Sequence, residues 1–259
     1  MNVFWAFLIC LTATTIGGIS GVGGGVIIKP VLDALSRLPV DTISFLSGCT
    51  VISMTAASLL ISRRGTVRIE KRRGTLLAIG AAAGGTGGQQ LFALVKAAGG
   101  GRVSAAQQGA MILLTLGVLF HMLFCEHMRS RNVQGSLPCL VIGMGLGCVS
   151  AFLGIGGGPF NLTVLMYFFS MDTKTAALNS LYVIFFSQSA SLIAMAMTGR
   201  IPAFDTALLA AMAAGGVAGG AAGRSLSSSL PAAAVRRLFM GLVAAIAGLS
   251  VYNLTLSLG

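Results

Sequence analysis

Two glycine runs, Gly21-Val-Gly-Gly-Gly25 and Gly154-Ile-Gly-Gly-Gly158, are the residues of this chain best suited to chemistry. Each interrupts a long apolar stretch. A glycine inside a helix costs about 1 kcal/mol relative to alanine, so such a run breaks the helix that carries it. The break frees backbone N–H groups and aims a helix N-terminus, with its partial positive charge, into the protein. Those groups bind anions, and bare Cα atoms let a ligand approach the backbone. The chemistry implied is capture of a small anion by Gly21, Gly23, Gly24 and Gly25 and by Gly154, Gly156, Gly157 and Gly158. Neither run continues into the Gly-Lys-Ser/Thr of a phosphate loop. Gly80, Gly84, Gly88, Gly215 and Gly219, at small-xxx-small spacing, read better as seats for close helix packing.

Lys29, four residues beyond the first run, is a cation within an apolar segment and so a functional candidate. It could neutralise an anion, pair with Asp33 one turn on, or snorkel to the surface. Its counterpart in the second run is Leu162, but the adjacent Asn161 offers amide donors. Ser47, Ser53, Asn179, Ser187 and Gln188 form a second polar layer on the following spans. They either touch substrate or cross-link helices. No nucleophile–base–acid set and no metal cluster is visible, which argues against an enzyme. The five cysteines have no CxxC spacing, and no cofactor is implied.

The elements that must hold these residues are membrane helices. Hydrophobic residues make up 55% of the chain and charged residues 9%, against roughly 25% charged in soluble domains. The stretches 42–62, 75–95, 108–125, 175–199 and 238–258 are each near the roughly 20 residues a span needs. Lipid admits helices or closed barrels, and the alternation of a barrel is absent. A net charge of +11 reflects basic loops of a membrane protein rather than nucleic-acid binding.

The chain reads as all-α, integral to the membrane, and built from two copies of one unit. Residues 21–32 align with 154–165, Leu46-Ser47 with Leu178-Asn179, and 83–88 with 214–219. The first repeat is 1–126, a basic linker 127–136, and the second repeat 137–259. Each repeat holds an over-long first segment, 1–35 or 137–169, and three ordinary ones. If both long segments simply cross, basic residues divide almost evenly between the faces. If both enter and return, loops 63–73, 126–136, 170–174 and 224–237 share one face. The other face then keeps only Arg37, Lys96, Arg102 and Arg200. The positive-inside rule favours this second arrangement. It has six spanning helices, two re-entrant hairpins, inverted halves, both termini outside and loop 63–73 in the cytoplasm.

The doubled motif, Gly21-Val-Gly-Gly-Gly25 and Gly154-Ile-Gly-Gly-Gly158-Pro159, resembles the sulfite exporter TauE/SafE family of membrane transporters, with similarity across essentially the whole chain. The resemblance implies transport of sulfite, sulfonates, thiosulfate or related small oxyanions and organic acids across the bacterial inner membrane. A secondary transporter of this kind would draw on a coupling ion, proton or sodium. An anion channel, a carboxylate carrier and a non-transporting membrane subunit are the rival expectations. The first copy has Val26 where the second has Pro159, and its own proline comes later, at Pro30.

Overall fold

The structure is a computed structural model. It describes all of the chain but Met1, Arg37, 64–66, Arg68, Gly100, Gly101, 125–130, 154–157, Arg200 and Gly259. Among the described residues the regular structure is helical throughout. The elements are α1 (Val3–Ser20), α2 (Gly25–Leu35), α3 (Val40–Ser62), α4 (Lys71–Gly99), α5 (Arg102–Phe124), α6 (Ser136–Leu153), α7 (Gly158–Phe169), α8 (Thr173–Met197), α9 (Thr206–Ser229) and α10 (Ala232–Leu258).

Among the described residues, five of these are long and apolar enough to cross a bilayer: α1, α3, α8, α9 and α10. The sequence expectation of six spans took in α4 and α5 and left out α1. The described side chains of α5 begin at Gly109, and the apolar run there is Gly109–Phe124; α4 opens on Lys71-Arg-Arg73 and carries four glycines between 84 and 88. Large apolar side chains such as Trp5, Leu94, Leu113, Phe120, Leu137 and Met197 lie on the outside. That surface suits lipid, since soluble proteins rarely expose so much contiguous apolar area.

Helix association in lipid cannot rely on the hydrophobic effect and uses close contact instead. Here the small-residue stripes supply it. Gly215, Gly219 and Gly223 lie against the carbonyls of Phe7, Leu11 and Thr15, so α9 runs parallel to α1. On the neighbouring stripe Gly216 and Gly220 lie against Thr50 and Met54 of α3. Gly80, Gly84 and Gly88 of α4 meet Leu140, Met144 and Cys148 of α6 in the same way. A Cβ at Gly215 would stand 2.7 Å from the Phe7 oxygen, so these positions are packing seats. Three hydroxyls tie α9 to its neighbours: Thr14 Oγ1 shares its hydrogen between Cys10 O of its own helix (2.6 Å) and Gly215 O (3.2 Å), Ser58 Oγ donates to Gly220 O (3.0 Å) and Ser227 Oγ to Ile19 O (3.2 Å). Intramembrane hydrogen bonds average about 0.6 kcal/mol. Three of them stabilise less than the continuous van der Waals seam does.

Several connections meet at one end of the bundle. The Glu70 N–H donates to Asn179 Oδ1, Arg73 bonds Asn132, Lys174 Nζ reaches Ser228 O, and Arg236 donates to Met122 O. The Arg131 and Val133 amides donate to the carbonyls of Tyr167 and Phe168. At the other end Thr42 bonds Ala203 O, and the Phe45 and Phe204 rings stack 5.0 Å apart.

Candidate functional site

The first glycine run reverses the chain inside the bundle. Helix α1 stops where Gly21 takes φ +77° and its N–H returns to Gly17 O at 2.9 Å, and Gly23 follows at φ +80°. Both angles lie in the left-handed region that favours glycine. The chain then comes back beside its own helix. A Cβ at Gly24 would stand 2.6 Å from Thr14 Cγ2, and one at Gly17 would stand 2.7 Å from Gly24 N. Gly21 sits against Ala177 of α8, while Gly23 faces Ile184 of α8 and Val51 of α3. Gly21, Gly23, Gly24 and Gly25 are all buried. The first amides of α2 lack intrahelical acceptors by helix geometry. One of them, Gly24 N–H, has only the thioether of Met54 at 3.3 Å, a weak acceptor.

Of the second run, Gly154, Gly156 and Gly157 lie outside the described residues. Gly158 is buried, with φ +39°, and starts α7. Asn161 follows one turn on. It is 2% exposed, and its Oδ1 has no hydrogen-bond partner. An amide turned by 180° would present its NH₂ group at the same place. Phe160 and Leu162, on either side of Asn161, belong to one buried cluster with Val22 and Val26 of the first run.

The remaining expected residues divide. Ser47 is buried, and Gln188 is half-buried with its oxygen near Gly48. Asn179 is fully buried but already engaged: its oxygen accepts the Glu70 N–H at 3.0 Å, and its NH₂ donates to Thr175 O at 2.9 Å. Ser53 and Ser187 bond carbonyls of their own helices, Cys49 and Ile184. Lys29 is half-buried, and Asp33 and Asp41 are the charges it feels. Beyond Asp41, a hollow of about 590 Å³ is lined by Leu38, Pro39, Thr42, 202–205 and Leu208. Two carboxylates, Asp41 and Asp205, border it, so it is a poor seat for an anion.

Ser180 and Arg224 are buried polar residues that the sequence reading does not single out. Ser180 lies on α8 three residues after Ala177 and four before Ile184, the two residues that touch the glycine turn. Its hydroxyl is fully buried and has no partner. The spacing was visible in the sequence, but nothing there marked which face of α8 met the turn. Arg224 was counted among loop charges. It instead sits within α9, 4% exposed, on the stripe of Gly216 and Gly220.

Compared with known families, the chain matches the model of "Sulfite exporter TauE/SafE" over residues 6–250. No protein of curated function and no solved structure matched it.

Proposed function

This chain belongs to the sulfite exporter TauE/SafE family, and we propose that it is a secondary transporter of a small sulfur-containing anion (sulfite, a sulfonate, thiosulfate or a close analogue) in the bacterial inner membrane. The observation that carries this reading is the buried chain reversal at Gly21–Gly25, where weakly satisfied amides and bare Cα atoms stand between α1, α3 and α8.

In this reading α1 and α2 form a hairpin that enters from one face and returns to it, and α6 and α7 form its inverted counterpart. Gly24 beside Thr14 supports the first return. The bonds from Arg131 and Val133, in the linker just before the second segment, to Tyr167 and Phe168 at that segment's end support the other. The halves 1–126 and 137–259, joined by the basic linker 127–136, also pack reciprocally. Helix α1 lies on α9 of the second half and α6 on α4 of the first. Rocking of one half against the other would alternate access.

The binding set is Gly21, Gly23, Gly24 and Gly25, Gly154, Gly156, Gly157 and Gly158, and Asn161, with Ser47, Asn179, Gln188 and Lys29 around them. The end bearing Arg73, Arg131, Lys174 and Arg236 faces the cytoplasm. A proton or sodium gradient drives the cycle.

The test is the purified chain alone in liposomes. Wild type should move sulfite or thiosulfate saturably and uphill against its gradient. Gly156→Leu should abolish this while leaving a folded protein. Undiminished flux in Gly156→Leu would sink the proposal. Rapid conductance that only runs downhill would make the protein a channel. Flux of acetate but not sulfite would make it a carboxylate carrier, and no flux at all would favour a subunit role.

A further inference from the structure

We propose that Arg224 is the counter-charge of the transported anion, its guanidinium forming an anion site where α9 meets α1 and α3 beside the Gly21–Gly25 turn. The proposal rests on the transport reading and adds the residue that supplies its charge.

Position comes first. Gly220 packs on Met54, the residue whose sulfur accepts the Gly24 N–H. Arg224 is one helical turn further along the same stripe of α9. Its peptide nitrogen is 3.5 Å from where a Cβ of Gly18 would stand, three residues before the turn begins.

Burial comes second. At 4% exposure Arg224 is far more covered than a loop cation. A buried charge is costly unless something pairs with it. Among the described residues no hydrogen bond or ion pair engages its guanidinium. The acids lie elsewhere. Glu70 pairs with Arg73 at 3.1 Å, Asp172 and Asp205 cap α8 and α9, and Asp33 and Asp41 neighbour Lys29. Glu126 lies outside the described residues.

Chemistry comes third. The hydroxyls around this part of α9 already donate their hydrogens to backbone carbonyls: Ser20 to Ile16, Ser58 to Gly220 and Ser227 to Ile19. An anion arriving here would draw its donors from Arg224 and from the turn's amides. Arginine holds its donors in a planar fork that matches two oxygens of one oxyanion, a geometry a lysine lacks.

The experiment compares wild type, Arg224→Met and Arg224→Lys. Thermal unfolding of the purified proteins is followed in sodium sulfite, sodium thiosulfate, sodium acetate and a sodium chloride control of equal ionic strength, and sulfite flux is measured in liposomes. Without sulfur anions Arg224→Met should melt at or above wild type, because an unpaired buried charge has been removed. Its sulfite-dependent rise should vanish, and its flux should fall by about a hundredfold. Arg224→Lys should keep the rise, with its midpoint moved to about tenfold higher sulfite.

Arg224→Met melting below wild type with the sulfite rise intact overturns the proposal and makes Arg224 a structural residue. An unchanged midpoint in Arg224→Lys also overturns it, and decides alone if the methionine variant does not fold. If wild type responds to acetate but not to sulfur anions, and Arg224→Met abolishes that response, the site stands and the sulfur reading fails. A wild type that responds to no anion ends both.

Discussion

Two of the cations carried on apolar helices, Lys29 and Arg224, are treated differently by the fold. Lys29, on α2, is half-buried near Asp33 and Asp41, toward the end where two carboxylates border a hollow. Arg224, on α9, is almost wholly buried, and every acid among the described residues is placed elsewhere. A cation close to two carboxylates has little net field to offer an anion. A cation with no carboxylate beside it keeps its field for an incoming anion. Depth within an apolar run therefore does not decide which charge can bind; the counter-charges the fold supplies do.

The bluntest way to break the comparison is to unseat Arg224 from below. Gly220 sits so close to Met54 that a Cβ there would stand 3.0 Å from its backbone carbon. Gly220→Leu should destabilise the α3–α9 seam by on the order of 3 kcal/mol and yield little monodisperse protein on size exclusion. Lys29→Leu should fold normally. Equal recovery of both variants would show that the seam is not what fixes Arg224.

The charge difference can also be reversed. Replacing Asp33 and Asp41 together by Asn leaves Lys29 unopposed, as Arg224 is. The double variant should bind sulfite more tightly, by up to about tenfold on removing two nearby like charges. Lys29→Ala alone should change the sulfite midpoint by less than about threefold, a cost under 1 kcal/mol. A loss in Lys29→Ala as large as in Arg224→Met would erase the distinction.

A smaller effect sharpens the comparison at the glycine turn. The Ser180 hydroxyl is buried without a partner, on the face of α8 that meets the glycine turn. A buried hydroxyl lacking a hydrogen bond costs about 1 kcal/mol or more. Ser180→Ala should therefore melt no lower than wild type without anion, yet show about fivefold weaker dependence on sulfite, the loss of one hydrogen bond. A lower melting point with unchanged sulfite dependence would make Ser180 a structural residue.

Much of this was legible in the sequence. The glycine run marked where α1 ends and α2 begins, because left-handed φ and the approach of Gly24 to Thr14 leave little choice of residue. The small-residue stripes on α4 and α9 announced close packing by their spacing. Arg224 was illegible for a physical reason. Hydropathy places a helix boundary near any arginine, whereas α9 continues past it to Ser229 and buries it. Asn179 was misleading in the opposite sense. Its burial was foreseen, but not that its amide would bind Glu70 N–H and Thr175 O. A polar side chain in an apolar run reveals that it needs a partner, and only packing names the partner.

The smallest expected effect tests whether Arg224 is truly unpaired. Asp172 is the acid at the near end of the bundle, where Lys174 reaches Ser228 of α9. Desolvation works against its ionisation, but hydrogen bonds from Thr175 and Lys174 prevail and hold its carboxyl below the usual carboxylate range. A group whose pKa is lowered on folding stabilises above its unfolded value, about 3.9, and that stabilisation is lost as pH falls through the folded value. Asp172→Ala should thus cost about 0.5 kcal/mol at pH 7, as a modest helix cap does. The gap from wild type in thermal unfolding should close as pH drops below about 4. Measured at pH 7, the sulfite-dependent rise should be the same in both proteins. A larger rise in Asp172→Ala would reveal that this carboxylate competes with the anion for Arg224, and the contrast with Lys29 would become one of degree.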